Sequence, residues 1–464
     1  DKDTPGEWSH NEERFPHGLK WLVERLRSMG LELGLWVAPF IVFEGSTFFR
    51  DHPDCVIMDA EGRPSAWQTA WPWEPKQNIY DLDLRKPASQ AFVAEVFREL
   101  TALGVTYFKM DFLNGPSTAP MSFTAGIRDQ DRLRDGERVR IGLSLIRRTV
   151  GESVYLLACN VPLSHCLGIV DAVFDSMDVG NSYAGREEAW RHVRRRGSGL
   201  IARYYQQKRF WHNDPDVIYV GGNPPEFSPV SDPGEARLRT TAVALSGGPV
   251  LLGDNLSRLP EERLAMYTLC LPAYGVPARP VDLFERDFPQ VWDLNVTTDW
   301  GRWDVVGLFN YSDQPVSLPV DLIHLDLQQE TSYLVWEFWE QEFLGVHSHT
   351  VDVNVPARDV RVILVKERPR VPALLSTSFH VSQGGVEVSQ VRWDGRRKVL
   401  SGVCHRPPGA RGDLIFYAPE GLEAGACTGT EGEMFPAKVI AHGIWKVGLE
   451  FRGRAIDWRV TFHT

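Results

Sequence analysis

The run TYFKMDFLNG, residues 106–115, sets a lysine and an aspartate two positions apart at the end of an apolar stretch. In an extended chain alternate side chains share a face, so Tyr107, Lys109 and Asp111 lie on one side and Phe108 and Met110 on the other. An ammonium within a few ångström favours the ionised carboxylate, which is the form a nucleophile needs. The plainer alternative is an ion pair that only satisfies a buried strand end. Polar residues recur at the ends of the other apolar runs: Trp36, Cys159, Asn160, Asp175, Asp178, Asp214, Asp216 and Asp254. Carboxylates dominate this set, and no Ser/His pair, phosphate-cradling glycine loop or metal-ligand spacing accompanies them. Chemistry with two carboxylates, no cofactor and no metal is the economical reading. Glycoside hydrolysis is of that kind: one carboxylate attacks or activates water, and the other protonates the leaving oxygen.

The elements that must position these groups follow a regular order. GLKWLVERLRSMG carries Leu19, Leu22, Val23, Leu26 and Met29 at helical spacing, with Gly30 placed for a left-handed cap. LELGLWVAPF reads as a buried strand closed by Pro39, and SQAFVAEVFRELTALG as a helix that leads into VTYFKMDF. The order continues with helical RVRIGLSLIRRTVG, strands SVYLLACN and DAVFDSMDV, and a Trp- and Arg-rich helix near 186–206. Strand VIYVGG with its lead-in FWHNDPD, helix GEARLRTTAVALSG and strand GPVLLGDNL complete it. Six strands alternating with helices predict an α/β fold, a (β/α)8 TIM barrel over residues 1–285 whose catalytic groups sit at the C-terminal strand ends. A closed barrel needs eight strands, so the first two are expected to precede residue 1. From about 286 the pattern changes to strand-like runs with turns, which predicts an antiparallel β-sandwich domain over 286–367. A second all-β module follows the proline-marked ERPRVPALLS, over 368–464.

Composition narrows the partners. The 464 residues are 43% hydrophobic, too long a chain for one core, and 50 basic against 61 acidic residues give a net charge of −11. No basic block stands out beyond RHVRRRGSG and DGRRK, so nucleic acid is not expected as a partner. The longest apolar candidate, AVALSGGPVLLG, is broken by glycine and proline, so no membrane association is expected and the chain reads as soluble, cytoplasmic or secreted. Sequons at Asn255, Asn295 and Asn310 do not choose between these. The six cysteines are scattered without CxxC or Cys/His metal spacing. A homo-oligomer is left open.

The residues also carry a family resemblance. WSHNEERFPHGLKWLVERLRSMGLELGLWVAPF, HPDCVIMDAEGRP, YDLDL, YFKMDFLNG, WHNDPDVIYVGG and LSGGPVLLGDNL occur in the order found in the α-galactosidase clan, the melibiase-like glycoside hydrolase families 36 and 27. The resemblance covers roughly residues 7–285. It implies a metal-free retaining exo-glycosidase that hydrolyses terminal α-galactosides of an oligosaccharide or glycoside substrate. On the matching motifs, Asp111 resembles the nucleophile and Lys109 a sugar-binding cation. Trp36 resembles a wall of the sugar site, Cys159 and Asn160 resemble contacts near the sugar C2 position, and Asp216 a carboxylate near the bound sugar. Asp178 is the better match to the acid/base, with Asp175 the alternative, while Asp214 and Asp254 equally suit helix caps or loop ties and are given no role. Asn160 stands where some members carry a glutamate and Phe174 where many carry an arginine, so the C2 substituent stays open. An α-N-acetylgalactosaminidase, a raffinose-synthase-like transglycosidase and a non-catalytic carbohydrate-binding protein are the rival readings.

Overall fold

A computed structural model describes residues 8, 10–68, 78–113, 135–174, 176, 178, 186–221 and 232–464. The chain divides into two compact units, one of residues 1–175 and 208–214, the other of residues 176–207 and 215–464.

The first unit is built on a parallel sheet. Strands Gly34–Val37, Tyr107–Met110, Tyr155–Cys159, Ala172–Phe174 and His212–Asn213 lie side by side in chain order, every pairing parallel. Helix Gly18–Ser28 precedes the first strand, and helices Pro87–Ala102 and Asp135–Val150 lie between the first three. The Gly18–Ser28 helix stops as its sequence predicts: Gly30 takes a φ of 77°, open to glycine at little cost. Val37, Phe108, Met110, Leu156, Ala158 and Val173 bury against Val93, Phe97, Leu143 and Ile146 of the helices. That burial fixes the parity of every strand, so Trp36, Lys109, Leu157, Cys159 and Phe174 take the opposite face.

Two features differ from the sequence expectation. A small antiparallel sheet of Ile41–Phe43, Ile79–Asp81 and Ala66–Gln68 is inserted after the first parallel strand, built from runs of three residues that are too short to show a period. His212–Asn213, read as a lead-in, is itself the fifth strand of the parallel sheet, whereas the expected strand VIYVGG is reduced to Val217–Ile218. Residues 214–216 interrupt the strand between them, where Pro215 removes a ladder donor.

The second unit pairs Val217–Ile218 in parallel with Leu251–Leu252 and carries helices Arg186–Ala202, Pro233–Ser246 and Glu261–Thr268. The last of these was absent from the sequence reading. An antiparallel six-stranded sheet spans Arg279–Pro280 to Asp359–Glu367. One face, with Val305, Phe309, Val362 and Leu364, packs on Leu238, Ala242 and Leu245 of the Pro233–Ser246 helix. The other, with Val306, Leu308, Ile363 and Val365, is covered by the ribbon Val316–Asp321/Thr350–Val355 through Leu318, Val320, Val351 and Val353. Two further antiparallel sheets between Ala373 and His463 enclose Leu400, Phe416, Leu449 and Trp458. The architecture is therefore α/β with a C-terminal β-rich region. Among the described residues, no helix is long and apolar enough to cross a membrane.

Candidate active site

The site grows from the ends of the parallel strands. Tyr107–Met110 alternates half-buried and buried residues, which holds Lys109 away from the core. The backbone N–H of Asp111 still donates to Val37 O at 2.8 Å, so Asp111 is the first residue past the ladder and is fixed by it. Phe112 then turns into the left-handed region at φ 53°, and its N–H donates back to Asp111 Oδ1 at 2.7 Å. Two side chains complete the set. Trp36 lies in register with Lys109 on the neighbouring strand, and its Nε1–H donates to Asp111 Oδ2 at 3.2 Å. Asn160, at φ 51° just past Cys159, donates from Nδ2 to Asp111 Oδ1 at 2.8 Å. Three N–H donors thus orient one half-buried carboxylate, while Trp36 stays 41% exposed. An exposed indole at a strand end can present both an apolar face and a donor.

Lys109 has a partner that the sequence reading set aside. Its Nζ lies 3.6 Å from Oδ2 of Asp214, whose side chain is fully buried. Asp214 follows His212–Asn213 and shares the parity of His212, so the strand assignment is the signal that would have found it. The ammonium also sits 5.4 Å from the centre of the Phe174 ring, a geometry that favours a cation over the ring face. Below these groups Tyr107 and Tyr155 stack at 5.1 Å, with His212 6.3 Å beyond Tyr155. Burial, then the negative charge of Asp214, pushes the Tyr107 phenol upward, and burial pushes Tyr155 up to about 12. Both phenols therefore stay neutral donors at ordinary pH. Cys159 is 1% exposed and packs with Leu157, Ala172 and Phe174.

The structure thus brings Trp36, Lys109, Asp111, Cys159, Asn160 and Asp214 to one sheet. Asp178 and Asp216 belong to the second unit: Asp178 is exposed, and Asp216 is half-buried at a φ of 60°. Arg196 of the Arg186–Ala202 helix braces the Asp216 turn, its Nη2 donating to Pro215 O and, at 3.3 Å, to Val217 O. Asp175 lies outside the described residues. Asp254 is used structurally, its Oδ2 accepting from Val220 N at 2.6 Å and from Tyr267 Oη at 2.6 Å.

A carboxylate with three fixed donors beside a lysine–aspartate pair is equipped for attack on an electrophilic carbon. The segment that carries it also has relatives. Residues 1–131 match the melibiase family. Alpha-galactosidase 1 of Pediococcus pentosaceus is 30% identical over 115 residues, covering 24% of this chain and 14% of that protein. The aligned part spans only 14% to 16% of the length of the curated relatives it matches. A family-27 β-L-arabinopyranosidase from Geobacillus stearothermophilus superposes with a TM-score of 0.56 at 16% identity, over 76% of this chain and 78% of that one. A Bacillus halodurans protein described as an α-N-acetylgalactosaminidase gives a TM-score of 0.51 at 16% identity, over 79% and 86%. These two likenesses concern the fold alone.

Proposed function

We propose that this chain forms the catalytic part of a retaining exo-glycosidase that hydrolyses terminal α-galactosides. The observation that carries the reading is the Asp111 carboxylate, inside the melibiase-matching segment and held at its strand end by Trp36, Phe112 and Asn160. In this scheme Asp111 attacks the anomeric carbon and forms a glycosyl ester, while Asp178 gives its proton to the leaving oxygen. Asp178 then takes a proton from water as water displaces Asp111, and the sugar leaves with its anomeric configuration retained. Lys109, Cys159, Asn160 and Asp216 hold the sugar, and the Trp36 indole forms a wall. Residues 1–285 then contribute the strands and helices of a (β/α)8 barrel, followed by β-domains at 286–367 and 368–464.

A second reading, an α-N-acetylgalactosaminidase, draws on Asn160. Its Nδ2 is committed to Asp111, which leaves Oδ1 as an acceptor. An acetamido N–H at C2 is the kind of group an acceptor suits.

The deciding experiment follows the first minutes of aryl α-galactoside hydrolysis by the full-length protein with NMR. Initial release of α-galactose is expected. Initial release of the β-anomer would overturn the double displacement, and turnover of only the 2-acetamido analogue would move the substrate to the second reading.

A further inference from the structure

Outside that sheet, one turn of the first unit gathers three ligand types. The helix Thr47–Asp51 ends at His52, and the 3-10 turn Pro53–Cys55 brings the chain round so that Cys55 N donates to His52 O at 3.0 Å. His52, Asp54 and Cys55 consequently place a ring nitrogen, a carboxylate oxygen and Sγ all within 4.8 Å of one another. His52 and Cys55 are held from behind. The His52 ring rests against Phe48 at 5.2 Å. Cys55 is anchored through its carbonyl, which accepts from Ser89 Oγ at 3.0 Å and from Asp83 N at 2.8 Å. Asp54 is tethered by Lys86 at 3.8 Å, a pair in which both side chains are solvent-accessible and which is cheap to exchange. His52 and Asp54 are exposed while Cys55 is 4% exposed, so the group opens to solvent on one side and closes on the thiol at the other.

We infer that His52, Asp54 and Cys55 form a binding site for a divalent zinc-like cation, separate from the Asp111 centre. Imidazole, carboxylate and thiolate together suit Zn2+, with the fourth tetrahedral position left to water. The charges balance: thiolate and carboxylate supply two negative charges, the imidazole is neutral, and Lys86 swings to solvent. Binding breaks the S–H bond and forms a metal–sulfur bond, and the proton leaves to solvent. The group was not expected from the sequence, where the cysteines show no CxxC or Cys/His metal spacing; all its ligands fall within four consecutive residues.

The test is titration of the reduced full-length protein with Co2+, whose bond to a thiolate gives a near-ultraviolet charge-transfer band. One saturating equivalent, displaced by Zn2+, is expected. Cys55→Ser should abolish the band, and His52→Ala and Asp54→Asn, both exposed positions, should each weaken affinity by about tenfold or more. Absence of a band in the folded protein would overturn the site. So would a band that survives Cys55→Ser, which would belong to another thiol, or full affinity in His52→Ala, which would mean a lone sulfur. Galactoside turnover is not the readout, so the outcome is independent of the glycosidase reading.

Discussion

Two aspartates, one in each unit, show how differently the fold treats a carboxylate. Asp111 ends a parallel strand, is half-buried, and takes its three donors from Trp36, Phe112 and Asn160. Asp359 begins the antiparallel strand Asp359–Glu367, is 2% exposed, and is gripped by Arg237 through Nε at 3.1 Å and Nη2 at 2.5 Å, with Val360 N at 2.8 Å. A bidentate guanidinium neutralises and encloses the acid. Neutral N–H donors orient the acid and leave its charge available to a substrate. The difference separates an acid that ties two elements together from one that can react, and it comes from where the strand ends.

The sharpest break in this contrast is Asp111→Asn. The amide retains the shape and the ability to accept from two of the donors, but it is not a nucleophile. Turnover of aryl α-galactosides should fall by about three orders of magnitude or more, with the thermal midpoint close to that of the parent. Retained activity would remove Asp111 from the nucleophile role. The mirror experiment is Asp359→Ala, which leaves the Arg237 guanidinium, 23% exposed, without its main anion. A loss of about 3 kcal/mol or more of unfolding free energy is expected, with kcat of the folded protein nearly unchanged. If kcat fell in proportion to stability, the proposed division of labour between the two acids would fail.

The same contrast explains what could be read from the sequence. Alternation around Lys109 exposed the face of Asp111 directly, because period-two burial is local, and helices with full turns such as Gly18–Ser28 were equally legible. The Lys109–Asp214 pair was not, since it joins residues over a hundred positions apart, and the strand that aims Asp214 is only His212–Asn213. Two residues carry no period. The donor role of Asn160 was hidden for another reason: its left-handed φ of 51° turns the amide back toward Asp111, and nothing in ACN announces that backbone.

Asn160→Ala tests whether that amide serves Asp111 or contacts the substrate directly. Removing a hydrogen bond to a charged group costs about 1.5–3 kcal/mol, so activity should drop roughly ten- to a hundredfold. A loss confined to kcat marks Asn160 as orienting Asp111. A loss confined to KM, with kcat intact, would return it to a plain sugar contact and leave Trp36 and Phe112 as the orienting donors.

The smallest expected effect lies among the acids of the antiparallel sheet that lack a full guanidinium clamp. Asp293 and Asp304 sit on the adjacent strands Val291–Thr298 and Gly301–Asn310, 2% and 6% exposed. Arg279 reaches Asp293 at 3.3 Å with a single nitrogen, while Asn295 donates to Asp304. Burial, reinforced by the neighbouring Asp304, pushes Asp293 up to about 7, and burial raises Asp304 as well. Between the ordinary carboxylate range near 4 and that raised value, the folded protein holds a proton that the unfolded chain has released. The unfolded state then binds fewer protons, so this contribution to stability is complete at low pH, declines as pH rises through the window, and levels off above about 7. Asp293→Asn keeps the size of the side chain and cannot ionise. Denaturant unfolding should therefore show the variant gaining stability relative to the parent as pH rises from 4.5 to 8. An unchanged difference across that range would mean that Arg279 alone neutralises Asp293, making it a second Asp359 in place of an acid that the sheet holds protonated.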